Sequence, residues 1–228
     1  MNLLCGSFAV VAALMYNDLT LAFWLIVAGI VFDFFDGFVA RLLHSSSAIG
    51  VQLDSLADVI TSGLAPAAVL WQVCLQTEPC WLPEGWKLGY GVFVLAAFSA
   101  LRLAKFNINE TQTVEFCGLP TPAGSLLCAS LGMLWQPGML ALSSDGVLLV
   151  AVLTSLLLVS PIRMFALKFH GFGWRGNEVR YLFLLASIVL IIILRTYAIP
   201  VIIVLYIVVS AVRWLCMRSG NPDKAPKA

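Results

Sequence analysis

The segment DFFDGFVAR, residues 33–41, places two aspartates and an arginine at the end of a long apolar run. A second segment, GVQLDSLAD at 50–58, places two more aspartates in another apolar run. On insertion scales each acid deep in lipid costs about 2.5–3.5 kcal/mol, and four neighbouring acids also repel one another. The two segments therefore predict paired membrane helices in which something positive offsets the acids.

Composition predicts an all-α, polytopic integral membrane protein. The 228 residues are 61% hydrophobic and 11% charged, whereas soluble domains are about a quarter charged. We expect one membrane domain over 1–218 and a short disordered tail over 219–228. The N-terminal stretch has no charged segment followed by a small-residue cleavage site, so the sequence predicts no signal peptide. The net charge of +1 says nothing about nucleic acid, and no basic patch is interleaved with aromatic residues, so we expect no nucleic-acid partner.

Eight apolar runs predict about eight transmembrane helices. They cover residues 3–15, 20–41, 50–73, 88–104, 120–135, 146–160, 181–194 and 199–214. The first is too short to cross about 30 Å of hydrocarbon. Either this helix begins before Met1 in a longer natural chain, or it ends inside a protein-lined cavity.

The basic residues predict the orientation of these helices. If Arg41 is cytoplasmic, eleven of the thirteen lysines and arginines lie on that side, all but Lys87 and Arg195. Positive charge concentrates on the cytoplasmic side of membrane proteins. We therefore expect both termini in the cytoplasm and the aspartates near the cytoplasmic face.

The six cysteines form no CxxC pair, which argues against a zinc site. Cys74 and Cys80 share one loop and could pair if that loop faced an oxidising compartment. The favoured interpretation is that both are free thiols acting as small apolar side chains.

The acid segments each present one helical face. The first face consists of Asp33, Asp36, Gly37, Ala40 and Arg41, spaced i, i+3, i+4, i+7 and i+8. The second consists of Gly50, Asp54 and Asp58, spaced i, i+4 and i+8. Such spacings lie on one side of a helix. Because residues 42–49 form a short turn, the two faces are expected to meet near the membrane surface.

A divalent cation is the simplest counterpart to these acids. Oxygen ligands suit Mg²⁺, Mn²⁺ or Ca²⁺ better than zinc. Gly37 and Gly50 leave room for a bulky anion, and the Arg41 guanidinium matches phosphate oxygens. The pattern predicts a metal and diphosphate site. The alternative, neutralisation by basic side chains of other helices, has few nearby candidates beyond Arg41 and Arg102.

The spacing D-x-x-D-G-x-x-A-R-x8-G-x-x-x-D-x-x-x-D, met at every fixed position over residues 33–58, resembles the signature of the CDP-alcohol phosphotransferases. That resemblance implies a membrane enzyme with a six-helix catalytic core that acts as a homodimer. In such enzymes a CDP-linked donor loses CMP while its phosphoryl group passes to an alcohol.

The resemblance also implies roles for individual residues. Asp33, Asp36 and Asp54 would hold two divalent metals, Mg²⁺ or Mn²⁺, and Asp58 would complete the second site and act as the base. The nucleotide and diphosphate pocket would be lined by Asn2, Gly37, Ala40, Arg41 and Gly50.

The acceptor alcohol is indicated by three further segments. ALRLAKFN (100–107), FCGLPTPAG (116–124) and SGLAPA (62–67) are similar to those of phosphatidylserine synthases that use CDP-diacylglycerol. This resemblance implies CDP-diacylglycerol and L-serine as substrates, CMP as a product and a bacterial inner-membrane location. Arg102, Lys105 and Asn107 would contact the serine or the diphosphate; from the residues alone, interfacial anchoring or an ordinary loop role stays open.

Two other functions stay open. A phosphatidylglycerophosphate or phosphatidylinositol-phosphate synthase would use a phosphorylated acceptor and should need more basic residues around it. A cation transporter would also place acids in the membrane. It would not account for Gly37, Gly50 and Arg41 at these spacings, because an arginine opposes a cation path.

Overall fold

The computed structural model describes residues 1–43, 47–81, 88–108, 116–164 and 177–220. The α-helices in these ranges are α1 (Asn2–Leu14), α2 (Leu19–Leu42), α3 (Ala48–Asp58), α4 (Ala65–Gln76), α5 (Val94–Ile108), α6 (Thr121–Trp135), α7 (Ser144–Val159), α8 (Glu178–Leu194) and α9 (Ala198–Gly220). A π-helical turn, Val59–Leu64, joins α3 to α4, and 3-10 turns precede α5 and α9. The eight predicted runs coincide with these helices, and the all-α membrane fold is confirmed.

Four helical stretches are long and apolar enough to cross a membrane: Leu19–Ala40, Ile49–Gln76, Gly89–Ile108 and Glu178–Cys216. The last has 39 residues, which would extend about 58 Å as one straight helix, twice the hydrocarbon thickness. It is broken at Arg195, whose φ is +49°, and α8 packs against α9. This stretch therefore folds as a helical hairpin.

Small residues let the central helices pack closely. α4 and α6 contact each other, and α1 and α2 pack against them. Ala9, Ala12 and Ala13 of α1 are buried, and Gly132 of α6 accommodates Val69 of α4, which a Cβ there would overlap. In lipid, helices associate through such close van der Waals contact, since burial from water no longer drives them together.

Pro66 explains the π-helical turn between α3 and α4. A proline has no N–H for the carbonyl four residues earlier, and its ring crowds that carbonyl. Here the helix widens, and the Ala65 N–H bonds to the Ile60 carbonyl five residues back. The turn directly follows Asp58, and such turns are frequent at functional sites.

Amide side chains fix the α1–α2 turn at the end of the bundle opposite the aspartates. Asn17 adopts a φ of +50°, and its Oδ1 accepts a hydrogen bond from Gln76 Nε2 at 2.9 Å. Gln136, at the end of α6, accepts from the Leu19 N–H at 2.8 Å. These bonds tie α1 and α2 to α4 and α6, so the direction of α1 across the bundle is set at this end.

A two-stranded antiparallel ladder, which the sequence analysis did not predict, pairs the segment before α6 with the segment after α7. β1 (Phe116–Cys117) pairs with β2 (Arg163–Met164). Gly118 follows β1 with a φ of +78°, and a Cβ there would overlap the Leu158 carbonyl. Only glycine adopts this conformation at little cost. The ladder thereby docks the start of α6 on the end of α7.

Asp145 anchors the loop after α4 at the start of α7. Its Oδ2 accepts hydrogen bonds from the backbone N–H groups of Trp81 at 2.6 Å and Cys80 at 3.2 Å. A hydrogen bond from the Ser143 side chain, together with these amides, outweighs burial and lowers the pKa of Asp145 to about 2. Cys74 and Cys80, near this loop, are free thiols.

Asp145→Asn should lower the melting temperature of the purified protein by a few degrees at pH 7, because a charged acceptor of several amides is lost. The lowered pKa means that the carboxylate stabilises the fold fully above its ordinary pKa of 3.8. This contribution disappears as the pH falls from about 4 towards 2. Tryptophan-fluorescence melts of both proteins across pH 3–7 test this expectation. Equal melting temperatures at pH 7 would contradict it.

Candidate active site

The Asn2 side chain joins two of the four aspartates. Its Nδ2 donates to Asp58 Oδ1 at 2.9 Å and to Asp33 Oδ1 at 3.2 Å. The carboxyls of Asp33 and Asp54 are also close enough to share a hydrogen bond, and both Asp33 and Asp54 lie in electrostatic range of Asp58. The first turn of α1 thus meets α2 and α3 at the acids.

Thr61, in the π-helical turn, holds Asn2 in position. The Thr61 hydroxyl donates to the Asn2 carbonyl at 3.1 Å. Two glycines make room for this contact: a Cβ on Gly6 would overlap Thr61, and a Cβ on Gly29 would lie 2.6 Å from Thr61 Cγ2 and 3.2 Å from Asn2 Oδ1. α1, α2 and the π-helical turn therefore approach one another closely just below the acids.

The remaining acids open onto a cavity of about 560 Å³, within the range typical of ligand pockets. Among its lining residues are Asn2, Asp36, Gly37, Ala40, Gly50 and Asp54. Gly37 has no heavy atom within 4 Å of where a Cβ would stand, so that wall of the cavity is open. Six residues predicted for metal or nucleotide binding therefore share one cavity.

The acid cluster has the donor chemistry of a divalent-metal site. Carboxylates and an amide oxygen are hard ligands, and Asn2 Oδ1 is buried with no hydrogen-bond partner in the described part of the chain. Within the described ranges, however, no three His, Cys, Asp or Glu side chains are already spaced to hold one ion. The chemical types of these side chains suit a hard cation. The side chains are close to one another but do not form a closed coordination shell.

Arg102 places a cation near Asp58. It is largely buried, in electrostatic range of Asp58, and its Nη1 donates to Thr121 Oγ1 at 2.8 Å. Thr121 begins α6, directly after the Gly118–Pro120 turn. Asp58 thus belongs to the acid cluster and is also within electrostatic range of a guanidinium.

The other predicted residues are more dispersed. Asn107 Nδ2 donates to the Ser55 hydroxyl of α3 at 2.9 Å. Asn107 therefore contacts the residue that directly follows Asp54. Lys105 is exposed. Arg41 belongs to α2, but its side chain lies outside the described part of the protein, as does the predicted tail beyond 220.

A family model described as CDP-alcohol phosphatidyltransferase matches residues 1–166. The chain belongs to the CDP-alcohol phosphatidyltransferase family. The resemblance seen in the acid signature is confirmed, and with it the expectation of an enzyme. Divalent metals are general in this family, in keeping with the hard ligands at the acid cluster.

Several curated relatives of this CDP-alcohol phosphatidyltransferase carry the name CDP-diacylglycerol–serine O-phosphatidyltransferase. The Bacillus subtilis protein is 33% identical over 173 residues, 75% of this chain and 88% of that protein. The Helicobacter pylori protein is 32% identical over 203 residues, 86% and 80% of the two chains. The Mycobacterium tuberculosis protein is 32% identical over an alignment covering 98% of this chain and 81% of its own.

The sequence analysis missed the residues that support the site without belonging to its metal or nucleotide ligands. Thr61 follows the acid signature, and Ser47 occupies one of its unspecified positions. Yet Thr61 holds Asn2, and Ser47 caps α3 by accepting from the Gly50 N–H at 3.0 Å. A serine before a helix is a recognisable cap signal, and Pro66 was a signal for a distorted helix. The pairing of Thr61 with Gly6 and Gly29 joins three separate helices and leaves no local pattern.

Gly29→Ala should lower the free energy of unfolding by about 1–3 kcal/mol, because the new methyl group overlaps Thr61 in a packed interface. Gly37→Ala is the matched control: it makes the same change in the same helix but meets open space, so the melting temperature should stay unchanged or rise slightly. Fluorescence melts in detergent compare the two. Equal destabilisation by both substitutions would refute the close packing of α2 on Thr61.

Proposed function

We propose that this protein is a phosphatidylserine synthase, which transfers the phosphatidyl group of CDP-diacylglycerol to the hydroxyl of L-serine and releases CMP. The observation that carries the proposal is the setting of Asp58: it accepts a hydrogen bond from Asn2, a lining residue of the cavity, and it lies within electrostatic range of Arg102. Membership of the family supports the reaction type. The names of relatives that align with 75–98% of this chain support serine as the acceptor.

The cavity suits the donor's diphosphate and nucleotide. Gly37, Ala40 and Gly50 offer walls without large side chains, and Asp36 and Asp54 face the same space. We assign Asn2 to the cytidine end of this pocket and also to positioning Asp33 and Asp58, since its amide already binds both carboxylates. Arg41 is proposed as a diphosphate contact on the strength of the family signature.

Asp33, Asp36, Asp54 and Asp58 would hold the divalent metals, Mg²⁺ or Mn²⁺ and two in number. When bound, such ions neutralise diphosphate charge and stabilise the leaving group.

Asp58 is proposed as the base of the transfer. The serine hydroxyl oxygen forms a bond to the phosphorus that carries the diacylglycerol, and the bond from that phosphorus to the CMP oxygen breaks. The proton of the hydroxyl passes to the Asp58 carboxylate as the new bond forms. The hydrogen bond from Asn2 fixes the Asp58 carboxylate in direction, so that it accepts the proton without first having to reorient.

Arg102 is proposed to bind the carboxylate of serine. A guanidinium forms charge-assisted hydrogen bonds with carboxylates, and Arg102 Nε is buried with no partner among the residues that the structure describes. We assign Asn107 to the cytoplasmic rim of the active site. We assign Lys105, which is exposed, to the membrane surface. The distribution of lysine and arginine supports a cytoplasmic active site and cytoplasmic termini. The resemblance to bacterial members of the family supports an inner-membrane location. The family resemblance supports a homodimer.

Purified protein in detergent with CDP-diacylglycerol and Mn²⁺ or Mg²⁺ should release CMP when L-serine is added. Glycerol 3-phosphate and inositol phosphate, added in separate tubes, should release much less. Asp58→Asn should abolish release, whereas Asp18→Asn, the same change at a helix cap away from the site, should retain it. Release of CMP that requires a phosphorylated acceptor would overturn the serine assignment. Binding of a metal without release of CMP in any tube would favour a cation transporter.

Arg102→Gln should raise the KM for serine by about tenfold or more, because a charge-assisted bond is worth roughly 1.5–3 kcal/mol. The KM for CDP-diacylglycerol should change little. Initial rates of CMP release, measured while each substrate is varied in turn, give both constants. An equal rise in both would assign Arg102 to the diphosphate.

A further inference from the structure

Four helical segments that pack on one another each carry two polar residues one helical turn apart, and Arg102 is one of these residues. The pairs are Asp58 and Ser62, Ser99 and Arg102, Thr121 and Ser125, and Tyr206 and Ser210. Residues three or four apart lie on the same side of a helix. These pairs come from α3 and the π-helical turn, from α5, from α6 and from α9, and we call the eight residues the polar ladder.

Contacts connect the elements of the polar ladder. Arg102 bridges to Thr121, and Ser99 packs on Gly63, where a Cβ would lie 3.0 Å from Ser99 Cβ. α5 packs on the π-helical turn, and α6 packs on both that turn and α9. Tyr206 is 8% exposed and lies within electrostatic range of the Arg102 guanidinium.

Several groups of the polar ladder have no hydrogen-bond partner within the described residues. These are the hydroxyls of Ser62, Ser99 and Ser125 and the Nε of Arg102, all buried. A buried polar group without a partner costs free energy, and native proteins rarely keep several such groups in one place. Ser62 lies one turn from Asp58, and Ser99 and Ser125 lie one turn from the bonded pair of Arg102 and Thr121. This grouping points to a small polar ligand that satisfies them.

α9 contributes to the polar ladder from outside the matched family region. The family model ends at residue 166, whereas Tyr206 belongs to the α8–α9 hairpin and packs edge-to-face on Phe183, with ring centroids 5.9 Å apart. The hairpin is therefore more than a lipid-facing addition, because it brings a phenol hydroxyl towards the buried arginine.

We propose that the polar ladder is the acceptor subsite and that Tyr206 and Ser125 are specificity-determining residues for a small zwitterionic alcohol. This inference rests on the proposed function and deepens it. One guanidinium matches one carboxylate, and the neutral hydroxyls can accept hydrogen bonds from an ammonium group. A phosphorylated acceptor carries about two negative charges and would be poorly matched by one arginine among hydroxyls.

Ser125→Ala provides the sharper test. Because its hydroxyl is buried with no partner among the described residues, its removal breaks no hydrogen bond seen there. The melting temperature should therefore stay unchanged or rise. The KM for serine should nevertheless rise about 3- to 10-fold, as expected for one lost hydrogen bond to the ligand. The KM for CDP-diacylglycerol should not change. A lower melting temperature with an unchanged serine KM would make Ser125 structural and overturn the proposal.

Tyr206→Phe tests the contribution of α9. It should raise the serine KM by a similar factor and reduce the rise in melting temperature that L-serine gives to the wild-type protein. Tyr197→Phe is the matched control: it removes a hydroxyl that bonds to the Met139 carbonyl, away from Arg102, and the serine KM should stay constant. An unchanged serine KM in Tyr206→Phe, or equal rises for both substrates, would overturn the role of Tyr206.

The two hypotheses fail in different ways. If wild-type protein releases no CMP with serine, the proposed function is wrong whatever the variants do. If wild-type protein is serine-dependent while Ser125→Ala and Tyr206→Phe keep its serine KM, the function stands and the polar ladder is not the acceptor subsite.

Discussion

The central constraint on this protein is that like charges must be held together inside an apolar helical bundle. Asn2 meets part of that constraint by donating one amide group to both Asp33 and Asp58. A neutral donor stabilises the carboxylates without removing their charge, so the cluster keeps its capacity for cations. Everything that positions the first turn of α1 therefore also positions the acids.

Two distant features of the fold serve that positioning. At one end, amide side chains clamp the α1–α2 turn to α4 and α6. At the other, Thr61 holds the Asn2 backbone, and Gly6 and Gly29 allow the helices to touch there. The π-helical turn, widened at Pro66, presents Thr61 to α1 and Ser62 one turn beyond Asp58. Close packing and local distortion thus cooperate at the site.

The family region and the remainder of the chain contribute differently. Residues 1–166 include the acid cluster, the cavity and Arg102. The α8–α9 hairpin lies beyond them and packs through α9 on α6 and β2. The residues of the acid cluster thus belong to the family region, whereas Tyr206, which lies within electrostatic range of Arg102, belongs to the α8–α9 hairpin. Such a division would let the transfer step stay constant while the acceptor changes.

The sequence by itself determined the membrane fold, the helices and the acid signature, because apolar runs and helical spacing are local properties that survive without tertiary contacts. It predicted Asn2, Gly37, Ala40, Gly50 and the aspartates as site residues, and they lie around one cavity or its edge. Only the tertiary structure revealed the β1–β2 ladder, the hold of Thr61 on Asn2 and the approach of Tyr206 to Arg102. Each of these joins residues far apart in the chain, and their proximity depends on how the helices pack.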